Sequence, residues 1–482
     1  MYLLGIDLGT TGCKSMVFDE KGAILGSSYI EYDLILTEEG IEQDAHAWWG
    51  NVKKTVMQSL ERSKLDGKSI AALSVSSQGI AFVPVDQAGN TLYNAISWLD
   101  GRSKEEVERI SAQCDPKTIF HHTGKNILPC YVLPQLMWLK ANRPEVYNQT
   151  HKVLMAHDYI IYNFTGRMAT DLSMASGTLA YDIHEKKWML DLLNQFDIDP
   201  AKLPDLMVTG QIAGTVLPEV AKELGLSEQT KVVIGAQDQR CASMGAGIDK
   251  GIFTVSLGTA SSISAITDTP IIDDNMQVTC CGLNEDHWIL ETVVSTAGVA
   301  FKWLKNTLFP QLDYSEMDSL ASSSEPLAGG VAFYPHLSVD ASGKAKGMFT
   351  GLSLQTSSKD VIRAVLEGVA FQIKIHIDSM EKMGVKGNEI RLFGGGANSP
   401  VWCQIIADVT GKRVVIPRTN ETGNLGAAMI ARMGLDGSSD FHSSYFMMGE
   451  PARVFTPEPS RAKCYQDAYQ EYVKVHTELA AD

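Results

Sequence analysis

The residues of this chain that could do chemistry sit in three glycine-rich turns and around two aspartates. The segment Asp7-Leu-Gly-Thr-Thr-Gly12 places a carboxylate beside a row of backbone N–H groups. Glycine lets a ligand approach the backbone closely, and the hydroxyls of Thr10 and Thr11 add donors of the kind phosphate oxygens need. Asp7 can hold a divalent cation, directly or through water, and Lys14 can face the same anion. The bland reading of this segment is a plain hairpin with glycine at its bend. A second turn, Ser256-Leu-Gly-Thr-Ala-Ser261, lacks the carboxylate but keeps the donors, so Gly258 and Thr259 can hold a different part of one phosphate chain. The third, Gly394-Gly-Gly-Ala-Asn-Ser399, joins an expected strand to an expected helix, a setting that suits a nucleotide. It is neither G-x-G-x-x-G nor G-x-x-x-x-G-K-[ST], so neither a dinucleotide fingerprint nor a P-loop is present. Asp238 follows the apolar run Val232-Val-Ile-Gly-Ala-Gln. At the carboxyl end of a strand it can take the proton of a substrate hydroxyl, and it can equally cap the helix expected through Ala242–Ala246.

Strands read over Tyr2–Asp7, Cys13–Phe18 and Ala23–Ile30, with Asp19–Gly22 as the turn between the last two. A helix is expected from Asp44 to about Ser63. Asp44 suits its N-cap, and Trp48, Val52, Val56 and Leu60 recur every fourth residue. Ile70–Ser76 and Ile80–Val85 read as two more strands, five in the first unit. Asp7–Thr11 laid over Ser256–Ala260 matches at Leu, Gly and Thr with an offset of 249 residues, about half of the 482-residue chain. The shared strand-turn-strand context points to two copies of one α/β fold, with a boundary near Gly245–Lys250. Toward the end, Glu389–Phe393 and Arg413–Pro417 read as strands, Pro400–Thr410 as a helix with Ser399 as its N-cap, and Leu425–Met433 as a small-residue helix that can pack closely. Trp48-Trp49, Trp98, Trp138 and Trp303 read as core.

Composition excludes several classes. Hydrophobic residues make up 44% and charged residues 20%, ordinary for a folded protein and wrong for a disordered chain or a collagen. Lys+Arg number 41 and Asp+Glu 57, a net charge of 41 − 57 = −16. Such a surface repels phosphate backbones and anionic lipids, so no nucleic-acid or membrane partner is expected. The eight cysteines form no C-x-x-C pair and read as reduced thiols. Without a basic, cleavable leader in Met-Tyr-Leu-Leu-Gly-Ile-Asp, the expected location is cytoplasmic.

Together these residues resemble the FGGY family of carbohydrate kinases, within the actin–hexokinase–Hsp70 superfamily. The likeness runs from Gly5-Ile-Asp-Leu-Gly-Thr-Thr11 through Gly40-Ile-Glu-Gln-Asp44, Ile96-Ser-Trp-Leu-Asp-Gly-Arg102, Ala169–Ser176 and Gly235-Ala-Gln-Asp-Gln239. Its most specific segment is Gly347-Met-Phe-Thr-Gly-Leu352, seven residues, then Asp360–Glu367, which matches the spacing of the family's C-terminal signature. The resemblance implies an α/β chain of two actin-like (ribonuclease H-like) domains, residues 1–246 and 247–482, flanking a central cleft. It implies ATP and Mg²⁺ as cofactors and a small sugar as substrate; a homodimer is compatible with it. Asp238 then falls on the catalytic base and Asp7 on the carboxylate at the Mg²⁺–phosphate site. Thr10, Thr11, Lys14, Gly258 and Thr259 fall on the phosphate side, Gly395, Gly396 and Asn398 on the adenosine side, and Gln78, Gly79, Asp100 and Gln239 on the sugar side.

Within the family the chain looks most like the xylulokinase-like branch, which implies a ketopentose such as xylulose or ribulose; gluconate or a small polyol is the alternative. Three departures stand out. D-Xylulose kinases carry Gln-Met-His-Gly where this chain reads Gln78-Gly-Ile-Ala81, with Ile80 in the histidine's place. Ser338–Lys344 replaces a Gly-Glu-Arg loop, and Gln135 replaces a lysine. The rival from another class is an actin- or Hsp70-like ATPase acting as a binding module. It is disfavoured because Asp238, Gln78 and Asp100 suggest a small polar pocket.

Overall fold

The computed structural model describes residues 1–338, 346–438 and 440–481. Apart from Ser338, the departing loop Ser338–Lys344 lies outside the described residues. The chain forms two compact units. The first comprises Met1–Gly245, Thr267–Ile289 and Glu421–Gly449, and the second Ala246–Ile266, Leu290–Asn420 and Glu450–Asp482.

The first unit opens with β1 (Tyr2–Leu8), β2 (Gly12–Asp19) and β3 (Ile24–Glu31). Asp19 Oδ1 accepts from the N–H groups of Lys21 and Ala23, which makes the expected bend between β2 and β3. Helix α1 (Ala45–Ser63) begins where Asp44 accepts from His46 N at 2.8 Å. Its Trp48, Val52, Val56 and Leu60 are all buried, and that apolar stripe seats the helix on the sheet. The sheet is completed by β4 (Ile70–Ser77) and, after β5 (Phe82–Val85), by β6 (Ile212–Thr215) and β7 (Lys231–Gln237). Strand order is β6-β7-β4-β1-β2-β3. β1, β4 and β7 run parallel, and β2, β3 and β6 are antiparallel to their neighbours.

The strand expected over Ile80–Val85 is β5. It starts at Phe82 and belongs to a separate five-stranded sheet. A tight turn causes the departure: Ala81 N donates to Gly79 O at 2.9 Å, and Ile80 between them has φ +61°. The chain therefore leaves the plane of β4 before it becomes extended again.

The second unit repeats the plan. Its strands are β8 (Ile252–Leu257), β9 (Ser261–Thr267) and β10 (Trp288–Val294, of which Leu290 onward belongs here). A hairpin of β11 (Ala332–Tyr334) and β12 (Met348–Thr350) follows, and then β13 (Glu389–Phe393), β14 (Arg413–Ile416) and β15 (Arg453–Phe455). Within this unit the strand order is β10-β9-β8-β13-β14-β15. β8 is antiparallel to β9 and parallel to β13, β13 is parallel to β14, and β14 is antiparallel to β15. These are the relations that β1 has to β2 and β4, β4 to β7, and β7 to β6. The three-residue match between the turns thus sits at the same point of two equivalent sheets. Helix α2 (Asp238–Ala246) follows β7, and further along the chain come α3 (Gly298–Leu308), α4 (Ser358–Lys382) and α5 (Pro400–Thr410).

A single cut between residues 246 and 247 does not describe the units, because two later segments return to the first. The larger contains the helix Thr422–Asp436, and its small residues explain the return. A Cβ on Gly5 of β1 would overlap the carbonyl of Asn424, one on Gly245 the carbonyl of Thr422, and one on Gly426 the carbonyl of Cys241. Backbone therefore meets backbone, and Asn424 Nδ2 donates to Gly5 O at 3.1 Å and Lys14 O at 3.0 Å. Among the described residues no helix is long and apolar enough to cross a membrane.

Gly426→Ala tests this packing, because two effects oppose each other there. Alanine is the better helix former by about 1 kcal/mol. The expected outcome is nevertheless a loss of about 1–3 kcal/mol from overpacking, read from urea unfolding of the full chain. An unchanged or raised midpoint would mean that the helix does not lie this close to Cys241.

Candidate active site

In the first unit, three parallel strands end side by side. The register pairs Asp7 with Ser76 and Leu8 with Ser77, and on the other flank of β4 it pairs Ala236 with Ser76 and Gln237 with Ser77. Asp7 on β1, Gln78 just after β4 and Asp238 just after β7 therefore meet at one edge, the carboxyl ends of the strands, where open α/β sheets bind ligands. Gly79 belongs to the same cluster, since a Cβ there would lie 3.1 Å from Gln237 Cγ.

The first turn is held through its carbonyls. Gly9 O accepts from Tyr32 OH, Thr10 O from Gln43 Nε2 at 2.8 Å, and Thr11 O from Tyr32 N at 3.0 Å. Asp7 Oδ1 accepts from Ser76 Oγ at 2.7 Å, while Oδ2 receives no hydrogen bond among the described residues. Burial pushes the Asp7 carboxyl above its ordinary range. The Ser76 hydroxyl and the Lys14 ammonium oppose the rise, and Glu421 adds to it. Lys14 donates to both oxygens of Glu421, at 2.9 and 2.8 Å. Glu421 stands at the start of the helix Thr422–Asp436, so the return of that helix brings a second carboxylate beside Asp7 and Lys14. Sequence reasoning missed Glu421. The polar run Arg418–Asn424 before a small-residue helix was the available signal, but only the fold brings it across some four hundred positions.

Asp238 is the first residue of α2. Its Oδ1 accepts from Gln239 N at 2.6 Å and from Gln237 Nε2. Those bonds fix the orientation of the carboxylate, which stays partly exposed, as does Gln239. Gln237 N is itself held by Ser173 Oγ at 2.9 Å.

The expected sugar-side residues divide. Gln78 is buried, donates from Nε2 to Gln43 Oε1 at 3.0 Å, and so joins the first turn through Gln43; among the described residues its Oε1 has no partner. Asp100 is 1% exposed and its carboxylate is filled. Oδ1 accepts from Arg102 N at 2.7 Å and Nε at 3.0 Å, Oδ2 accepts from Ile41 N at 2.5 Å, and Arg102 Nη2 forms an ion pair with Oδ2 at 2.9 Å. Arg102 also pairs with Glu42 at 3.0 Å and lies over the Trp138 ring. Asp100 therefore anchors its loop and has no oxygen left for a sugar. Ile80 turns into the apolar cluster of Phe82, Met174 and Leu179, against Gly177. Trp98 is 40% exposed and donates from Nε1 to Thr10 Oγ1 at 2.9 Å, and Trp303 is also exposed, which corrects the reading of both as core. A flat ring with a polar tip satisfied by the first turn stays at the surface at little cost. Gln135 is buried and donates to Ser97 O beside Trp98.

In the second unit the other two turns lie together at the end of β8. Gly258 O accepts from Gly298 N at 2.8 Å, and Thr259 O from Ala297 N and Val299 N, both at 3.1 Å, so the N-terminus of α3 holds that turn. Gly394, with φ +92°, lies over the backbone of Leu257, and Gly396 packs on the Leu257 side chain. Gly395 and Asn398 are exposed, and a Cβ on Gly395 would meet nothing within 4 Å. Asn398 Oδ1 accepts from Asn420 Nδ2 at 3.2 Å, which leaves its own amide N–H groups as donors.

Residues 2–245 match the FGGY family of carbohydrate kinases, N-terminal domain, and residues 253–435 match its C-terminal domain. The chain belongs to the FGGY family of carbohydrate kinases. It is 30% identical to a probable L-xylulose kinase of Pasteurella multocida, over 100% of this chain and 99% of that one. Among solved structures it is similar to a ligand-bound xylulose kinase of Lactobacillus acidophilus, with TM-score 0.92 and 28% identity over 100% and 99% of the two chains. A gluconate kinase of the same organism gives TM-score 0.92 and 28% identity over 100% and 98%. This FGGY chain is thus a carbohydrate kinase with the two-domain α/β fold of the family.

The environment of Asp100 generates a prediction. Asp100→Asn should cost stability, toward the lower end of the ~3–5 kcal/mol typical of a broken buried ion pair because Glu42 remains to Arg102. Chemical denaturation measures it. A variant as stable as the parent, but with sugar KM raised, would return Asp100 to the sugar side.

Proposed function

We propose that this kinase transfers the γ-phosphoryl group of ATP to a hydroxyl of a ketopentose such as xylulose or ribulose. The observation that carries the reading is the meeting of Asp7, Gln78 and Asp238 at the joint end of β1, β4 and β7. Asp238 is the base: held by Gln239 N, its carboxylate accepts the proton of the sugar hydroxyl as the oxygen attacks in line. Gln239 and Gly79 flank that carboxylate and help to seat the sugar. The turn carrying Thr10 and Thr11 and the turn carrying Gly258 and Thr259 hold phosphate oxygens, and Gly395, Gly396 and Asn398 offer an open edge to adenosine. Lys14, held by Glu421, adds a positive charge on the phosphate side.

Mg²⁺ fits the donor set. Ser76 takes Oδ1 of Asp7, and Oδ2 is left for the ion or a water of its shell. When bound, the ion neutralises charge on the phosphate chain. The reading is of a cytoplasmic enzyme, and a homodimer can be checked by light scattering. Gluconate is the second substrate reading, because the gluconate kinase and xylulose kinase structures are equally similar to this chain.

Three outcomes are expected. Asp238→Asn keeps the shape but not the basicity, so phosphoryl transfer falls by about 10²–10⁴ while ATP and sugar binding persist. Turnover above half of the parent's would remove Asp238 as the base. Asp7→Ala raises the Mg²⁺ concentration needed for half-maximal activity, and a Mg²⁺ titration superimposed on the parent's would remove the metal role. The third concerns Ile80, which presents no hydrogen-bonding group and holds a φ that isoleucine rarely adopts and histidine tolerates better. D-Xylulose should not rank first by kcat/KM among D- and L-xylulose, D- and L-ribulose, gluconate and erythritol. Because Ile80 packs into the apolar cluster, Ile80→His should lower stability by about 1–3 kcal/mol without raising D-xylulose. A wide native preference for D-xylulose, or a rise of about tenfold for D-xylulose in Ile80→His, would overturn this account of the pocket.

A further inference from the structure

The family's C-terminal signature, Gly347–Glu367, contributes no residue to the chemistry above. Within the second unit, part of it lines a cavity of about 370 Å³, within the size range of small-molecule sites. One wall is α4, another is β11, and the third is the last helix, α6 (Pro459–Ala481). Aromatic side chains from all three line it: Phe371 from α4, Phe333 and Tyr334 from β11, and Tyr472 from α6. Tyr472 stacks on both Tyr334 and Phe371 with centroids 4.5 Å apart, and its hydroxyl donates to the backbone of β11 or α4, within reach of Phe333 O at 3.0 Å and Gly368 O at 3.1 Å. The aromatic wall is therefore fixed before any guest arrives.

The polar lining is acidic. Glu367 lines the cavity although it is only 3% exposed. Three donors serve this carboxylate, Arg363 Nε at 2.6 Å, Tyr465 OH at 2.5 Å and Leu327 N at 3.1 Å, and all three reach Oε1. Among the described residues Oε2 receives none. Arg363 does not turn toward it, because its other nitrogens are taken by Ala321 O, Ser324 O and Tyr465. The second carboxylate, Glu471, is exposed and also lines the cavity, and among the described residues no lysine, arginine or histidine does. With no donor of its own and not among the fully buried oxygens, Oε2 can accept from a guest in the cavity. Aromatic faces and two carboxylates without a lining cation select for positive charge on an apolar body.

We infer that this cavity is a binding site for a small organic ammonium ion, its N–H group donating to Glu367 Oε2 and its apolar part against the aromatic wall. The site is separate from the glycine turns. Ala364, Glu367, Gly368 and Phe371 lie on the face of α4 toward the cavity, whereas Trp402, which packs on Gly396, donates to Leu366 O of the same helix.

The test is calorimetric titration of the full chain with 2-phenylethylammonium, with 2-phenylethanol as the uncharged analogue. The ammonium should bind at least about tenfold more tightly than the alcohol, the difference being the charge-assisted bond. Ala468→Phe, which fills the cavity from its α6 wall, should weaken the ammonium by about tenfold or more through steric exclusion. Its sugar-dependent ATP turnover should stay within about twofold, because it shares no partner with the turns. Glu471→Gln, at an exposed position, should weaken the ammonium a few-fold and leave the alcohol unchanged. Equal affinity for the two probes, no binding of either at millimolar concentration, or undiminished binding by Ala468→Phe would each overturn the inference. If Ala468→Phe does not fold, Glu471→Gln decides: an ammonium affinity equal to the parent's overturns it.

Discussion

The first unit depends on backbone-to-backbone contacts of the helix Thr422–Asp436 with β1 and with α2. Three glycines, Gly5, Gly245 and Gly426, remove the side chains that would keep the surfaces apart. Asn424 then spans the gap and ties the carbonyls of Gly5 and Lys14 together. Interiors pack near the density of organic crystals, so a single added methyl group at such a place has nowhere to go. The contact also delivers Glu421 to Lys14 and closes the charged cluster around Asp7. The same few atoms thus hold the unit together and set the electrostatics of its phosphate side.

The two aspartates at the strand ends have different surroundings. Asp7 has one oxygen on Ser76 and the other without a hydrogen bond, in a setting whose burial disfavours its charge. Such a carboxylate gains from a cation. Asp238 is oriented by Gln239 N and Gln237 Nε2 and stays partly exposed, a position from which it can receive a proton. Asp100 shows the contrasting case. Arg102 and the Ile41 N–H occupy it fully, so its charge serves the loop that carries Trp98.

The two sheets share one plan, and the difference between their turns follows from what binds the turn carbonyls. Tyr32 and Gln43 do so in the first unit, and the N-terminus of α3 does so in the second. The signature segment serves neither turn. Its Arg363–Glu367 pair is clamped by Tyr465 of α6, and Glu367 lines the cavity between α4, α6 and β11.

Period and punctuation in the sequence determined much of this protein. Apolar and alternating runs located the strands β1 to β4, the four-residue spacing of Trp48, Val52, Val56 and Leu60 located α1, and Ser399 and Pro400 opened α5. These signals are local, because each depends on a backbone pattern a few residues long. The half-chain repeat was legible for the same reason, since two equivalent turns reuse one short string. Tertiary structure decided what depends on distant neighbours. Whether a polar side chain faces a ligand or a partner turns on which groups surround it. That is why Asp100 could be read as a sugar contact and is instead filled by Arg102, and why Trp98 could be read as core and is instead held at the surface by Thr10. Glu421 reached the site only because a glycine-lined helix returned to β1, and the composition of one surface reveals its partner only when both are folded.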